Sequence, residues 1–450
     1  MADKLTPQQQ MAVENRGGKL LVSAAAGSGK TKVLVDRLMS YLLDPANPAN
    51  IDDFLMITYT KAAAGELRGK IAAKLTEKIA EMPENRHLQQ QVQRLFLTKI
   101  STVHGFCSDI LREFAYRLDL PGDFRVADEN ECVQLRENAM ERVLNEAYDQ
   151  QQMDPDFLVF VDTQGLGRDD RLVPEILMKI YDSARCHLEP EKWLNQCMSD
   201  VDADCTDAGE TVWGRYLLDD LKYFLDLQIE AMTACADRAD RTDEMEKPAA
   251  LFHLTIKQLT HLRDSDTWDQ VVERCNIDFG RLTFSKKCPD LELCERMKAI
   301  RNACKKGLEK RIKNFSDSSE FVLTDLRESG RAVRGMIALV RRFSEEYDRL
   351  KRMHHVLDFG DLEHKTLDLF YGQKRSGLTS AAREVGSRFR EIMVDEYQDS
   401  NAVQDAIFSA LTNQSQNCFM VGDVKQSIYQ FRLADPGIFL EKYEIGRAHV

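Results

Sequence analysis

Residues Ala24–Thr31 (AAAGSGKT) constrain this chain more than any other stretch. They follow a short apolar run, Lys19–Ser23 (KLLVS). They precede a segment, Thr31–Leu43, whose apolar residues Val33, Leu34, Leu38 and Leu42 recur at helical spacing. A strand that enters a glycine-rich turn and leaves as a helix is an arrangement that cradles phosphate. Gly27 and Gly29 let the backbone bend so that successive N–H groups point at anionic oxygens, and the helix N-terminus adds its dipole. Lys30 is placed to reach the terminal phosphates of a nucleotide, and the Thr31 hydroxyl to bind Mg²⁺. The stretch departs from the general phosphate-loop pattern at Ala24, which stands where a glycine is usual. Ala24, Ala25, Ala26, Gly27, Ser28 and Gly29 together form the expected nucleotide-binding backbone.

Further buried strands are read at Phe54–Thr58 (FLMIT), Lys99–Val103 (KISTV), Arg390–Val394 (REIMV) and Asn417–Val421 (NCFMV). Helices are expected over Lys61–Met82 and Gly105–Leu118. Strand–helix alternation predicts an α/β fold, a parallel sheet with helices on both faces. From about Asp128 to Arg352 the pattern is instead almost wholly helical and charged. One example is Glu129–Gln152, with apolar residues at Val133, Leu135, Ala139, Val143, Leu144 and Ala147. The expected organisation is a phosphate-loop NTPase domain made of residues 1–125 and 353–443, split by an all-helical insertion over 126–352.

An acidic strand end complements the phosphate loop. In Val394–Asp399 (VDEYQD), Asp395 would hold Mg²⁺ and Glu396 would take a proton from an attacking water, so the two motifs together predict NTP hydrolysis. Val421–Arg432 (VGDVKQSIYQFR) places Gln426 just after a strand, where it could sense a γ-phosphate. Tyr429 and Phe431 alternate with polar residues, a spacing that suits faces offered to unstacked bases and equally suits core aromatics. The polar residues of Ile57–Ile71 and Ser101–Cys107 follow strands and would line the carboxyl edge of the sheet, where ligands bind in open α/β folds.

Composition excludes other classes. Lys and Arg number 61 against 74 Asp and Glu, a net charge of −13, so a purely electrostatic DNA binder is disfavoured while a local basic groove is not. The eleven cysteines include no C-x-x-C pair and read as reduced thiols. No stretch has the apolar length of a signal peptide core or a membrane span, and the expectation is a soluble, cytoplasmic protein without membrane contact.

The ordered set LTPQQ, AAAGSGKT, ITYTKAAAGEL, STVHGFC, LDFGDL, VDEYQDSN and GDVKQSIYQFR resembles the first motor domain of UvrD/Rep-type superfamily-one DNA helicases. Within that group it is most similar to the AddA (RexA) type, on the alanine-led phosphate loop, His104–Phe106 and the long acidic helical insertion. The resemblance implies a RecA-like fold, ATP and Mg²⁺ as cofactors, and 3′→5′ translocation on single-stranded DNA in the processing of double-strand breaks. It also implies duplex ends as substrate and an AddB-type (RexB) partner. The alternative is a repair helicase without nuclease, or an ATP- and DNA-binding module without turnover. Carried over by position, Gln9 would read adenine, Lys30 and Thr31 would meet phosphates and Mg²⁺, and Asp395 and Glu396 would hold metal and act as base. Gln426 would sense the γ-phosphate, and Arg432 would link the nucleotide site to the DNA groove. Thr60, Thr102, His104, Tyr429 and Phe431 would contact the single strand.

Family members continue into a second motor domain with arginine fingers and, in the AddA type, a nuclease, neither of which is matched here. Residues 444–450 (EIGRAHV) resemble a translated sequencing adapter, so native sequence is expected to end near Tyr443. The basic clusters Lys305–Lys313 and Arg341–Arg352 are expected to be solvated helix faces. His354–His355 have no ligand partners in sequence and are assigned no metal.

Overall fold

The computed structural model describes residues 5–25, 27–149, 154–164, 172–202, 204–285, 290–412, 417–426 and 435–447. Five of its strands form one sheet: β1 (Lys19–Ser23), β2 (Phe54–Thr58), β3 (Lys99–Thr102), β6 (Glu391–Val394) and β7 (Cys418–Gly422). Their order is β1-β7-β6-β2-β3 and every pairing is parallel. The interior strands β2, β6 and β7 are buried at every position, as strands covered on both faces must be. The edge strands β1 and β3 each keep an exposed residue.

Side-chain alternation assigns each strand residue to a face. Phe54, Met56, Met393, Phe419 and Val421 pack with Leu34 and Leu38 of α2 (Lys30–Leu42) and with Leu67 and Ile71 of α3 (Lys61–Glu81). Leu55, Ile57, Ile392, Val394 and Met420 pack on the other side. Their neighbours there come from the helices Val103–Glu113, Phe359–Tyr371 and Ala402–Thr412, among them Phe106, Phe370 and Ile407. The α/β expectation and its strand positions match this sheet.

Two compact units divide the chain. The first, residues 1–150, 174–193 and 339–450, holds the sheet. It also holds a two-stranded parallel ribbon, β4 (Arg125–Val126) with β5 (Val356–Leu357), at the two ends of the expected insertion. The second, residues 151–173 and 194–338, contains no strand among its described residues. Its core gathers Leu225, Phe252, Met297 and Leu308, with the tilted rings of Trp268 and Phe315 4.4 Å apart between centres. These bounds differ from the expected 126–352, because 126–150, 174–193 and 339–352 pack into the first unit. Buried aromatic packing of Tyr181 with Phe343 and Tyr347 and buried charge both hold these segments there. Lys351 is 3% exposed and pairs with Asp361 at 2.7 Å and Asp358 at 3.3 Å, while Arg185 pairs with Asp361 at 3.1 Å. The expectation that Arg341–Arg352 is a solvated face therefore fails at Lys351, whereas Lys305, Lys306 and Lys310 do face solvent.

One ion pair stitches the first unit together from inside. Arg37 on α2 and Glu391 on β6 are each 1% exposed. They meet in a fork, Nε to Oε2 at 2.8 Å and Nη2 to Oε1 at 2.6 Å. Tyr41 also donates to Glu391, and Arg37 Nη1 donates to the Ala12 carbonyl of α1 (Pro7–Glu14). On the other face, His364 donates from Nε2 to the Arg185 carbonyl at 2.8 Å. Burial, and then the charge of Arg185, push the His364 imidazole down to about 4.

Two outcomes follow from these buried groups. Arg37→Leu leaves a buried carboxylate without its cation and should cost about 3–5 kcal/mol. The double variant Arg37→Leu/Glu391→Leu should recover most of that in chemical denaturation; a double variant no more stable than the single one would refute the pair's role. His364 folds neutral and unfolds with an ordinary value near 6.5, so the stability it contributes is present above that value. That stability is lost as pH falls from about 6.5 through 4, of order 3 kcal/mol in all. Thermal melts at pH 7.5 and 5 should show His364→Gln losing less stability on acidification than the unmodified chain.

Candidate functional site

Polar side chains collect where β1, β7, β6, β2 and β3 all end, along the carboxyl edge of the sheet. At its β1 end, Ala24 N–H donates to Gly422 O at 3.0 Å, so the phosphate loop leaves the sheet still tied to β7. Gly27 (φ +73°) and Gly29 (φ +84°) are left-handed, a conformation that strains other residues, and Gly29 caps α2. A cavity of about 580 Å³ opens beside the loop, lined by Gly27, Gly29, Lys30 and Thr31, by Asp36 of α2, and by Lys70 and the ion-paired Lys74 and Glu77 of α3. Its donors are backbone turns, ammonium groups and a hydroxyl. That set fits the phosphates of a nucleoside triphosphate, which would share a bound Mg²⁺ with water and a protein oxygen. Among the described residues no group of three or more His, Cys, Asp or Glu side chains could hold a metal by itself.

Lys30 reaches across the sheet end. Its Nζ donates to Glu396 Oε2 at 2.9 Å and to Gln426 Oε1 at 3.1 Å. Gln426 Nε2 donates to Asp423 Oδ2 at 2.5 Å, and Asp423 N–H donates to Gln398 Oε1 at 2.9 Å. Gln398 Nε2 then donates to Glu396 Oε2 at 2.9 Å, closing a ring. Asp395 continues the sheet through N–H to Ile57 O at 3.0 Å and accepts from Glu396 N–H at 3.0 Å. Burial, and then the neighbouring Glu396 charge, push its carboxyl up to about 6. Such a group favours a nearby cation. Glu396 itself sits at φ +51°, an uncommon backbone for a residue with a side chain.

Gln9 arrives from α1. Its Oε1 accepts from Thr6 N–H at 2.9 Å, and its Nε2 donates to the Ser28 carbonyl at 2.8 Å. Its amide is thus bonded to the helix cap and to the loop backbone, beside Gly29.

The β2–β3 end of the edge is built differently. Thr60 caps α3 by accepting from Ala63 N–H, and Thr102 caps the next helix by accepting from Gly105 N–H. Each hydroxyl keeps its O–H for another partner. His104 shares Glu363 Oε1 at 3.0 Å with Gln404, which donates at 2.7 Å. Its ring stacks on Phe359 with centres 4.3 Å apart and planes 18° apart. Phe359 is 57% exposed.

The structure thus brings together Lys30, Glu396 and Gln426, and sets Thr60, Thr102 and His104 at the ends of β2 and β3. Ala26, Tyr429, Phe431 and Arg432 lie outside the described residues. Sequence reading passed over Gln398 and Phe359, although both stand inside quoted motifs, VDEYQD and LDFGDL. Lys70 and Lys74 carried no signal, since a lysine on an amphipathic helix is ordinary.

Comparison with known proteins gives the family. The UvrD/REP helicase N-terminal domain matches residues 5–445. An ATP-dependent helicase/nuclease subunit from Lachnoclostridium phytofermentans is 36% identical over 98% of this chain, which covers 33% of that protein. Proteins of the same name from Clostridioides difficile and Bacillus cytotoxicus are 34% and 33% identical, again over 98% of the chain, which covers 36% of each. The chain thus spans about a third of the length of these curated relatives. With the family model matching residues 5–445, the chain belongs to the UvrD/REP helicase N-terminal domain family.

Proposed function

We propose that this chain is the first motor portion of an ATP-dependent DNA helicase/nuclease, with a RecA-like phosphate-loop domain and a helical insertion. Its work would be 3′→5′ translocation on single-stranded DNA from duplex ends, in company with an AddB-type partner, in the cytoplasm, for repair of double-strand breaks. The relatives' shared name supports the helicase/nuclease assignment. The observation that carries the reading is the meeting of Lys30, Glu396 and Gln426 beside a cavity of nucleotide size.

Each residue has a distinct task in this mechanism. The backbone of Ala24, Ala25, Ala26, Gly27, Ser28 and Gly29 would wrap the phosphates. Lys30 exchanges its bonds to Glu396 and Gln426 for the β- and γ-phosphates, which frees the Glu396 carboxylate to accept a proton from water. Thr31 and Asp395 would hold Mg²⁺, which neutralises charge on the phosphates when bound. Gln426 would take up a γ-phosphate contact in place of Lys30, and Arg432 would carry the nucleotide state towards the DNA groove. Gln9 would read adenine after releasing one of its two present bonds. Thr60, Thr102, His104, Tyr429 and Phe431 would hold the single strand through phosphate contacts and base stacking.

The test is ATP turnover by the full-length protein with and without single-stranded DNA. Stimulation by DNA is expected, and its absence would sink the helicase reading. Lys30→Ala should weaken calorimetric binding of ATP with Mg²⁺ roughly 10- to 150-fold, the worth of charge-assisted hydrogen bonds. Equal affinity would mean that the loop is not the nucleotide site.

A further inference from the structure

Within the ring around Lys30, Gln398, like Asp423, lines no part of the cavity and meets no expected ligand. It is 2% exposed, yet each end of its amide is bonded to a different part of the site. Nε2 donates to Glu396 Oε2 at 2.9 Å, with a longer contact to Asp399 Oδ2 at 3.4 Å. Oε1 accepts the N–H of Asp423, the residue whose carboxylate holds Gln426. The fold makes room for this amide. A Cβ at Gly422 would collide with Gln398 Oε1, so the close approach between β7 and the segment after β6 depends on a glycine there. Glu396 needs such support, because its side chain is 42% exposed and its backbone is left-handed. Lys30 holds it now, but the proposed mechanism takes Lys30 away to phosphate.

We propose that Gln398 is a positioning residue that ties the Glu396 carboxylate to the loop bearing Gln426, so that base and γ-phosphate sensor stay aligned when Lys30 leaves. The inference rests on the ATPase reading above. Because neither end of the amide meets the expected nucleotide, its loss should change the chemical step and leave nucleotide affinity nearly intact. A base displaced by an ångström costs about 100-fold in rate.

Two variants separate the halves of the tie. Gln398→Met fills the same space without hydrogen bonds. Gln398→Glu keeps an acceptor for Asp423 N–H but sets a carboxylate against Glu396. In the full-length protein with saturating single-stranded DNA, both should lower kcat about 10- to 100-fold with KM for ATP within about threefold. Hydrogen exchange of the Asp423 amide, measured without nucleotide, should quicken at least tenfold in Gln398→Met and stay near the unmodified rate in Gln398→Glu. A kcat within twofold of the unmodified protein in both variants would overturn the proposal. So would loss of kcat, ATP affinity and melting temperature together, the signature of a packing residue. An unmodified protein without DNA-stimulated turnover would sink the helicase reading instead, and the exchange measurement, which needs no turnover, would still decide whether the tie exists. Unchanged exchange in Gln398→Met would overturn it.

Discussion

The phosphate loop hangs on a strand that has one neighbour. Among the described residues β1 lies at the sheet edge and pairs only with β7, from Lys19 opposite Cys418 to Ser23 opposite Gly422. That pairing closes a loop containing nearly all of the intervening sequence, the second unit included. The entropic cost of such a closure grows only slowly with length, so a large insertion is thermodynamically tolerable, although pairing of this kind is slow to nucleate. What offsets the cost is burial on both faces of β7 and β6, while the forked Arg37–Glu391 pair sets α2 against β6 with neither charge left alone. The same closure creates the site, because Lys30 lies just after β1 while Glu396 and Gln426 lie just after β6 and β7.

Strand order then spreads the candidate chemistry along one edge. The loop after β1 stands at one end, the acidic ends of β6 and β7 follow, and the caps after β2 and β3 stand at the other. A protein of net charge −13 can place lysines around the loop cavity without becoming a general polyanion binder. At the far end the buried carboxylate of Glu363 receives both His104 and Gln404. Gln404 in turn exchanges hydrogen bonds with Asn401, in the segment that follows Glu396 and Gln398. A continuous run of polar contacts thus joins the end of β3 to the stretch that carries the proposed base.

Much of this was legible in the residues themselves. The strands, the loop with its two glycines and the acidic strand end are each specified by residues close together in the chain. Apolar runs of strand length, glycines at left-handed positions and threonines before helices act over a few residues, so reading them needs no knowledge of the rest of the fold. The resemblance of seven ordered motifs to UvrD/Rep-type helicases, confirmed by the family match over residues 5–445, rests on that same local information.

Tertiary structure alone decided which polar side chains leave the solvent and what they meet there. Lys351, in a charged stretch that reads as a solvated helix face, is buried against Asp358 and Asp361. That burial is one of the contacts holding residues 339–352 in the first unit, although composition assigned them to the insertion. Gln398 looks like any amide in an acidic run until Gly422 is found against it, and Gln9 reads as a free amide until it is seen bonded to Ser28. In each case the partner is distant in sequence. A long side chain can be solvated or buried at the same position in the pattern, and only the packing of remote segments determines which desolvation is compensated.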